Sequence, residues 1–114
     1  MNVRLSEDGV RFRITQDEFE ELLSREELSG ETFFPRDKGI KYSISVTHSE
    51  RSEKNPSIDF DDNKIGMQVS RKDLINLAAK PISKESKIER EETTSRGVVR
   101  YSLEIDIRRK KVAE

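Results

Sequence analysis

Apolar residues stand one polar residue apart at the start of the chain: Val3 and Leu5, then Val10, Phe12 and Ile14, on either side of Asp8-Gly9. A period of two marks a strand with one buried face, and Asp-Gly is a favoured pair for a two-residue type I′ turn, because both central positions need positive φ. Placed there, the turn opposes Leu5 to Phe12 and Val3 to Ile14 on an apolar face. It opposes Arg4 to Arg13 and Ser6 to Arg11 on a polar one. The period then changes. Thr15 and Glu18 have the spacing of a capping box and predict a helix over 16–27, with Phe19, Leu22 and Leu23 along one stripe. Residues 31–34 read as a short strand and 40–47 as a longer one, in which Ile40, Tyr42, Ile44 and Val46 face one way and Lys41, Ser43 and Ser45 the other.

The same plan recurs. Adding 55 to the numbering carries Val3, Leu5, Val10, Phe12 and Ile14 onto Ile58, Phe60, Ile65, Met67 and Val69, and Thr15, Glu18, Phe19 and Leu22 onto Ser70, Asp73, Leu74 and Leu77. It also carries Phe33 onto Ile88, after which an offset of 59 takes Ile40, Tyr42, Ser43, Ile44 and Val46 onto Val99, Tyr101, Ser102, Leu103 and Ile105. A turn at Asn63-Lys64, a helix over 71–79 stopped by Pro81, and strands over 86–91 and 98–108 complete the second half. The stretches 47–57 and 92–97 hold no apolar residue and read as solvated loops, and 110–114 as a frayed tail. The expected fold is α+β in one domain, 1–114: two ββαββ units, about 1–47 and 58–108, joined by the polar loop 48–57. Hairpin links favour a mainly antiparallel, strongly bent or barrel-like eight-stranded sheet with two helices; two four-stranded sheets related by pseudo-twofold symmetry are the alternative.

Composition narrows the function. The chain has 114 residues, of which 39% are charged, with 22 Lys+Arg against 23 Asp+Glu. Leu, Ile, Val and Phe are numerous enough for a core, while the near-neutral balance argues against a general binder of nucleic acid or anionic membranes. The absence of Cys removes disulfides, thiolate metal sites and cysteine nucleophiles, and a single His removes the usual histidine pairs. No apolar run has the length of a membrane span and the opening residues lack a basic-then-apolar leader, so a soluble cytoplasmic protein is expected.

The segment Val10-Arg-Phe-Arg-Ile-Thr-Gln-Asp-Glu-Phe19, followed by Phe33-Phe34 and Tyr42-Ser-Ile44, resembles a family of small uncharacterised bacterial proteins. They open with a basic β-hairpin and an Arg-x-Arg-aliphatic-Thr-Gln helix start. The resemblance spans most of the chain and departs at Leu103–Ile107, which lacks the family's Lys-Asp-Phe run. It implies a shared fold and carries no catalytic residue across.

Candidate chemistry is sparse. Arg4, Arg11 and Arg13 crowd one polar face, so either carboxylates from other strands (Asp59, Asp61, Glu104 or Asp106) or a bound phosphate or carboxylate should offset them. Asp59-x-Asp61-x-Asn63 copies the opening of a calcium loop, but Lys64 stands where Gly is needed and Ser70 where a bidentate Glu belongs. Glu89-Arg-Glu91 invites comparison with tunnel phosphatases that act on triphosphates, but Thr93 replaces their strand lysine. His48 reads as a solvated loop residue, and Arg108–Lys111 as a solubilising tail. No cofactor or metal is therefore expected. The leading expectation is a non-catalytic binding or assembly module whose edge strands near 31–34 and 86–91 take a strand from a protein partner or form a homodimer. The alternative is a small phosphate- or anion-handling enzyme using the polar sheet face.

Overall fold

The computed structural model describes residues 1–48 and 55–107. Two hairpin–helix–hairpin halves follow one another. The first comprises β1 (Asn2–Ser6), β2 (Gly9–Ile14), α1 (Gln16–Arg25), β3 (Glu27–Phe34) and β4 (Lys38–Thr47). The second comprises β5 (Ser57–Asp61), β6 (Lys64–Ser70), α2 (Arg71–Ala78), β7 (Lys87–Thr94) and β8 (Gly97–Ile105).

The reciprocal capping box read from the sequence starts the first helix, and its hydroxyl half alone starts the second. Thr15 Oγ1 accepts from the Glu18 amide at 3.1 Å and Glu18 Oε1 accepts from the Thr15 amide at 3.0 Å. Ser70 Oγ accepts from the Asp73 amide at 3.1 Å. The first helix ends two residues early because Glu26 turns left-handed, at φ 63°, and its amide closes onto the Leu22 carbonyl. The chain then enters β3 at once. Leu28 is buried and Phe33 is 78% exposed, so the residue matching Ile88 is Leu28, sixty positions earlier, and not Phe33.

The barrel-like sheet does not form. Eight strands make two four-stranded mixed sheets, in the orders β1-β2-β8-β7 and β3-β4-β6-β5. Each sheet takes the first hairpin of one half and the second hairpin of the other, with β2 parallel to β8 and β4 parallel to β6 at the two centres. Turns dictate antiparallel pairing only within a hairpin; each helix carries the chain from one sheet to the other, and the hairpins then meet in parallel. Strands β1, β7, β3 and β5 remain edges. The inner faces contribute Phe12, Ile14, Leu103 and Ile105 from one sheet and Ile44, Ile65, Met67 and Val69 from the other to a single core, completed by Phe19, Leu22 and Leu74 of the helices.

Both first hairpins are displaced by two residues from the predicted register. Val3 opposes Phe12 and Arg4 opposes Arg11, with Glu7-Asp8 as the turn. Ile58 opposes Met67, with Asp62-Asn63 as the turn at φ 48° and 59°. A slip of two preserves which face each side chain occupies, so the apolar faces survive unchanged. Gly9 belongs to β2 because a Cβ there would stand 2.0 Å from the Arg100 carbonyl oxygen of β8. The predicted loop 92–97 is also shorter: β7 runs to Thr94 and only Ser95-Arg96 lie between it and β8.

Several positions 55 apart share their surroundings, although Leu22 is buried and Leu77 half-buried, and Thr15 is exposed where Ser70 is buried. Phe12 and Met67, Ile14 and Val69, and Phe19 and Leu74 are buried; Leu5 and Phe60 are 62% and 64% exposed.

Candidate functional site

Alternation along the strands gives each sheet an outward polar face. On the β1-β2-β8-β7 sheet it holds Arg4 of β1, Arg11 and Arg13 of β2, Arg100, Ser102 and Glu104 of β8, and Lys87, Glu89 and Glu91 of β7. Part of it is hollowed into a concavity of about 460 Å³ that includes Arg4, Arg11, Lys87, Arg100 and the buried Ser102. Three cations have carboxylate partners. Arg100 donates to Glu91 Oε1 at 2.6 Å, Lys87 Nζ lies 3.4 Å from Glu89, and Arg11 Nε lies 3.6 Å from Glu104. The hydrogen bond to Glu91 raises the pKa of the Arg100 guanidinium above its ordinary value. Arg4 makes no ion pair among the described residues, and Arg13 Nε is buried with no acceptor.

Of the carboxylates expected to offset these arginines, Glu104 does so. Asp59 and Asp61 lie on β5, in the other sheet. The two-residue register change makes Arg11, rather than Arg13, the neighbour directly across from Arg4.

The outward face of the other sheet encloses a broader hollow of about 1230 Å³. Its floor is small, with Ser43 and Ser45 of β4 alongside Gly66 of β6, and its rim carries Asp59, Asp61, Lys41 and Lys64. The two faces are chemically unlike although their strands correspond. At Arg4, Arg11 and Arg13 plus 55 stand Asp59, Gly66 and Gln68.

Other sequence candidates have structural partners. Asp62 and Asn63 form the β5–β6 turn itself, and no group of acids and histidine able to hold a metal occurs among the described residues. Glu89 and Glu91 point outward from an edge strand of an open sheet, so the enclosed acid-lined tunnel of the triphosphate phosphatases has no counterpart among the described residues. His48 is tied down: its Nε2 meets the Glu26 carboxylate, whose Oε2 also lies 3.5 Å from Arg71 Nη1. Residues 108–111 of the basic tail lie outside the described residues. No helix among the described residues is long and apolar enough to cross a membrane.

A feature that sequence reasoning passed over is the tip of the β3–β4 hairpin. Phe33 and Phe34 are both exposed there, ahead of the turn Pro35-Arg36-Asp37, with Gly39 and Lys38 as cross-strand neighbours. Two successive aromatics break the alternation of a strand, so one of them must face outward wherever the sheet lies. That signal was present in the sequence.

The edges differ in their defences. β1 and β5 are five residues each. β7 is eight residues, Lys-Ile-Glu-Arg-Glu-Glu-Thr-Thr, dense in charge. β3 is as long, Glu-Leu-Ser-Gly-Glu-Thr-Phe-Phe, with no Lys, Arg or Pro. Short strands and charged side chains, lysine above all, are how natural sheets blunt an edge; β3 is long and carries only Glu27 and Glu31, against the five charged residues of β7.

No curated protein and no solved structure matches the chain. A family model does: the chain belongs to DUF7009, a family of unknown function, over residues 1–108.

Proposed function

We propose that this protein is a non-catalytic assembly module, built from a duplicated ββαββ unit, that extends its β3-β4-β6-β5 sheet by adding a strand to the edge of β3. The observation that carries the reading is the composition of that edge: eight residues with two exposed phenylalanines and no guarding cation or proline. Backbone amides and carbonyls along such an edge supply affinity, and side chains at alternate positions supply selectivity.

The strand supplied is that of a second copy. An antiparallel pair of β3 strands centred on Gly30 sets Phe33 against Glu27, Glu31 against Ser29 and Thr32 against Leu28, with no like charges opposed. Centred pairings of β7 with itself set Glu89 against Glu91 around Arg90, or Glu91 against Glu91, so that edge repels its own copy. The shared burial of Phe12 and Met67, Ile14 and Val69, and Phe19 and Leu74 supports the duplication. Copying a unit whose hairpins swap between sheets leaves two equivalent long edges, of which charge then closes one.

Phe33→Lys tests the reading. At 78% exposure the side chain adds little to the monomer's core, so the variant should fold normally. Sedimentation velocity should show a concentration-dependent dimer for the wild type and a monomer for Phe33→Lys. A wild type that stays monomeric at high micromolar concentration, or a variant that dimerises equally well, would refute the proposal.

A further inference from the structure

The outward face of the β1-β2-β8-β7 sheet contains a juxtaposition that the fold does not require. Arg4 and Arg11 are directly opposed across β1 and β2, where Cβ atoms are about 4.5–5.5 Å apart and like charges are unfavourable. The sister hairpin provides an internal control. It has the same register and turn length, with Asp59 opposite Gly66 at the two corresponding positions. Two arginines are therefore a property of this sheet's surface chemistry, not of hairpin construction.

Their surroundings only partly offset the charge. Glu104 approaches Arg11 at 3.6 Å, beyond ordinary hydrogen-bond length, although it stands abreast of Arg13 in the β2–β8 register. Arg13 Nε is left buried with no acceptor, and Arg4 has no ion pair among the described residues. Beside the opposed pair, Ser102 of the central strand β8 is level with Arg11 and bounds the concavity with a hydroxyl able to donate. Arg4, Arg11 and Ser102 line one shallow hollow, which Asp8, Glu89 and Glu104 also border; two guanidinium forks and a hydroxyl match the oxygens of a phosphate, which takes several charge-assisted hydrogen bonds at once.

The geometry points to a phosphate-binding site on this face, with Arg4 and Arg11 clamping the group and Ser102 beneath it. The hollow, of about 460 Å³, suits a small phosphate or phosphomonoester. The site is independent of the β3 edge, which belongs to the other sheet.

Inorganic phosphate and phenyl phosphate, titrated separately at constant ionic strength against a chloride control, test it by thermal shift and calorimetry. Each arm is compared with Arg4→Asp, which installs the acid that the sister hairpin carries. The wild type should show a saturable rise in melting temperature with at least one of the two ligands. Arg4→Asp should weaken that binding about ten- to hundredfold, since a charge-assisted contact is lost and a repulsive one gained. The same substitution should raise the melting temperature of the ligand-free protein, because Arg11 gains a carboxylate across the strand. Opposite signs in the free and ligand-bound measurements are the signature of a binding role. Arg36→Gln, on the exposed β3–β4 turn, should leave phosphate binding unchanged. No saturable shift with either ligand in the wild type, or equal binding by wild type and Arg4→Asp, would overturn the site.

Discussion

Gly9 offers a sharp test of the architecture, because its role in the structure differs from the one that its neighbour Asp8 suggests. In a type I′ turn at Asp8-Gly9, Gly9 would be present for positive φ, and asparagine would replace it at small cost. In the structure Gly9 lies in β2 outside the left-handed region, beside β8, where a Cβ would come within 2.0 Å of the Arg100 carbonyl oxygen. That oxygen is backbone in a central strand and has little freedom to retreat. Gly9→Asn and Gly9→Ala should therefore both destabilise, by about 1–3 kcal/mol from the forced backbone shift, less the few tenths recovered from the unfolded chain's lost freedom. For a domain of this size that corresponds to a drop in melting temperature of roughly 5–15 °C. The loss should appear in urea denaturation followed by circular dichroism as a lower midpoint with an unchanged slope. Gly9→Asn as stable as the wild type would place Gly9 back in the turn and refute the parallel β2–β8 junction.

Other consequences follow from individual contacts. Phe12→Ala and Met67→Ala occupy corresponding, fully buried positions and should cost similar amounts, about 3–4 kcal/mol each by chemical denaturation. Asn63 sits at φ 59° in the β5–β6 turn, so Asn63→Gly should be neutral or stabilising, and Asn63→Val should cost about 1–2 kcal/mol. Burial pushes the Glu18 carboxyl's pKa up, but hydrogen bonds from the Met1 ammonium and the Thr15 amide, with the ammonium's charge, outweigh it and hold the pKa below the usual glutamate value. Glu18 thus stabilises the folded chain above the unfolded-state pKa, and that contribution is lost as pH falls through the lowered folded value; Glu18→Gln should flatten the acid limb of a stability–pH profile.

Much of the local structure was legible in the sequence because it rests on periods and caps. Parity set the buried faces of β2 and β6, and the hydroxyl–acid spacing at Thr15 and Ser70 set both helix starts. The turn positions were not legible, since a two-residue slip leaves every side chain on its own face and only the close approach of β8 to Gly9 distinguishes the registers. Sheet membership was hidden for a related reason. Phe12 and Met67 point into the same core whichever hairpin lies alongside, so apolar pattern alone does not say that β2 pairs with β8 rather than with a strand of its own half. The beginning of β3 was masked because Arg25, Glu26 and Glu27 are all good helix formers, and only the left-handed Glu26 breaks the helix. As for the surface, three nearby arginines were visible in the sequence, but the opposition of Arg4 to Arg11 depends on the register. An edge near 31–34 was anticipated from the sequence, but its extension back to Glu27 and the exposure of Phe33 and Phe34 emerge only from the structure.

Amide hydrogen exchange resolved residue by residue, at low and high protein concentration, tests the assembly reading most directly. The account predicts that amides of Glu27–Phe34 pointing away from β4 exchange rapidly in dilute protein and become protected as concentration rises, while the outward amides of β7 stay fast throughout. Outward β3 amides that remain fast at every concentration, or protection that develops on β7 instead, would contradict it.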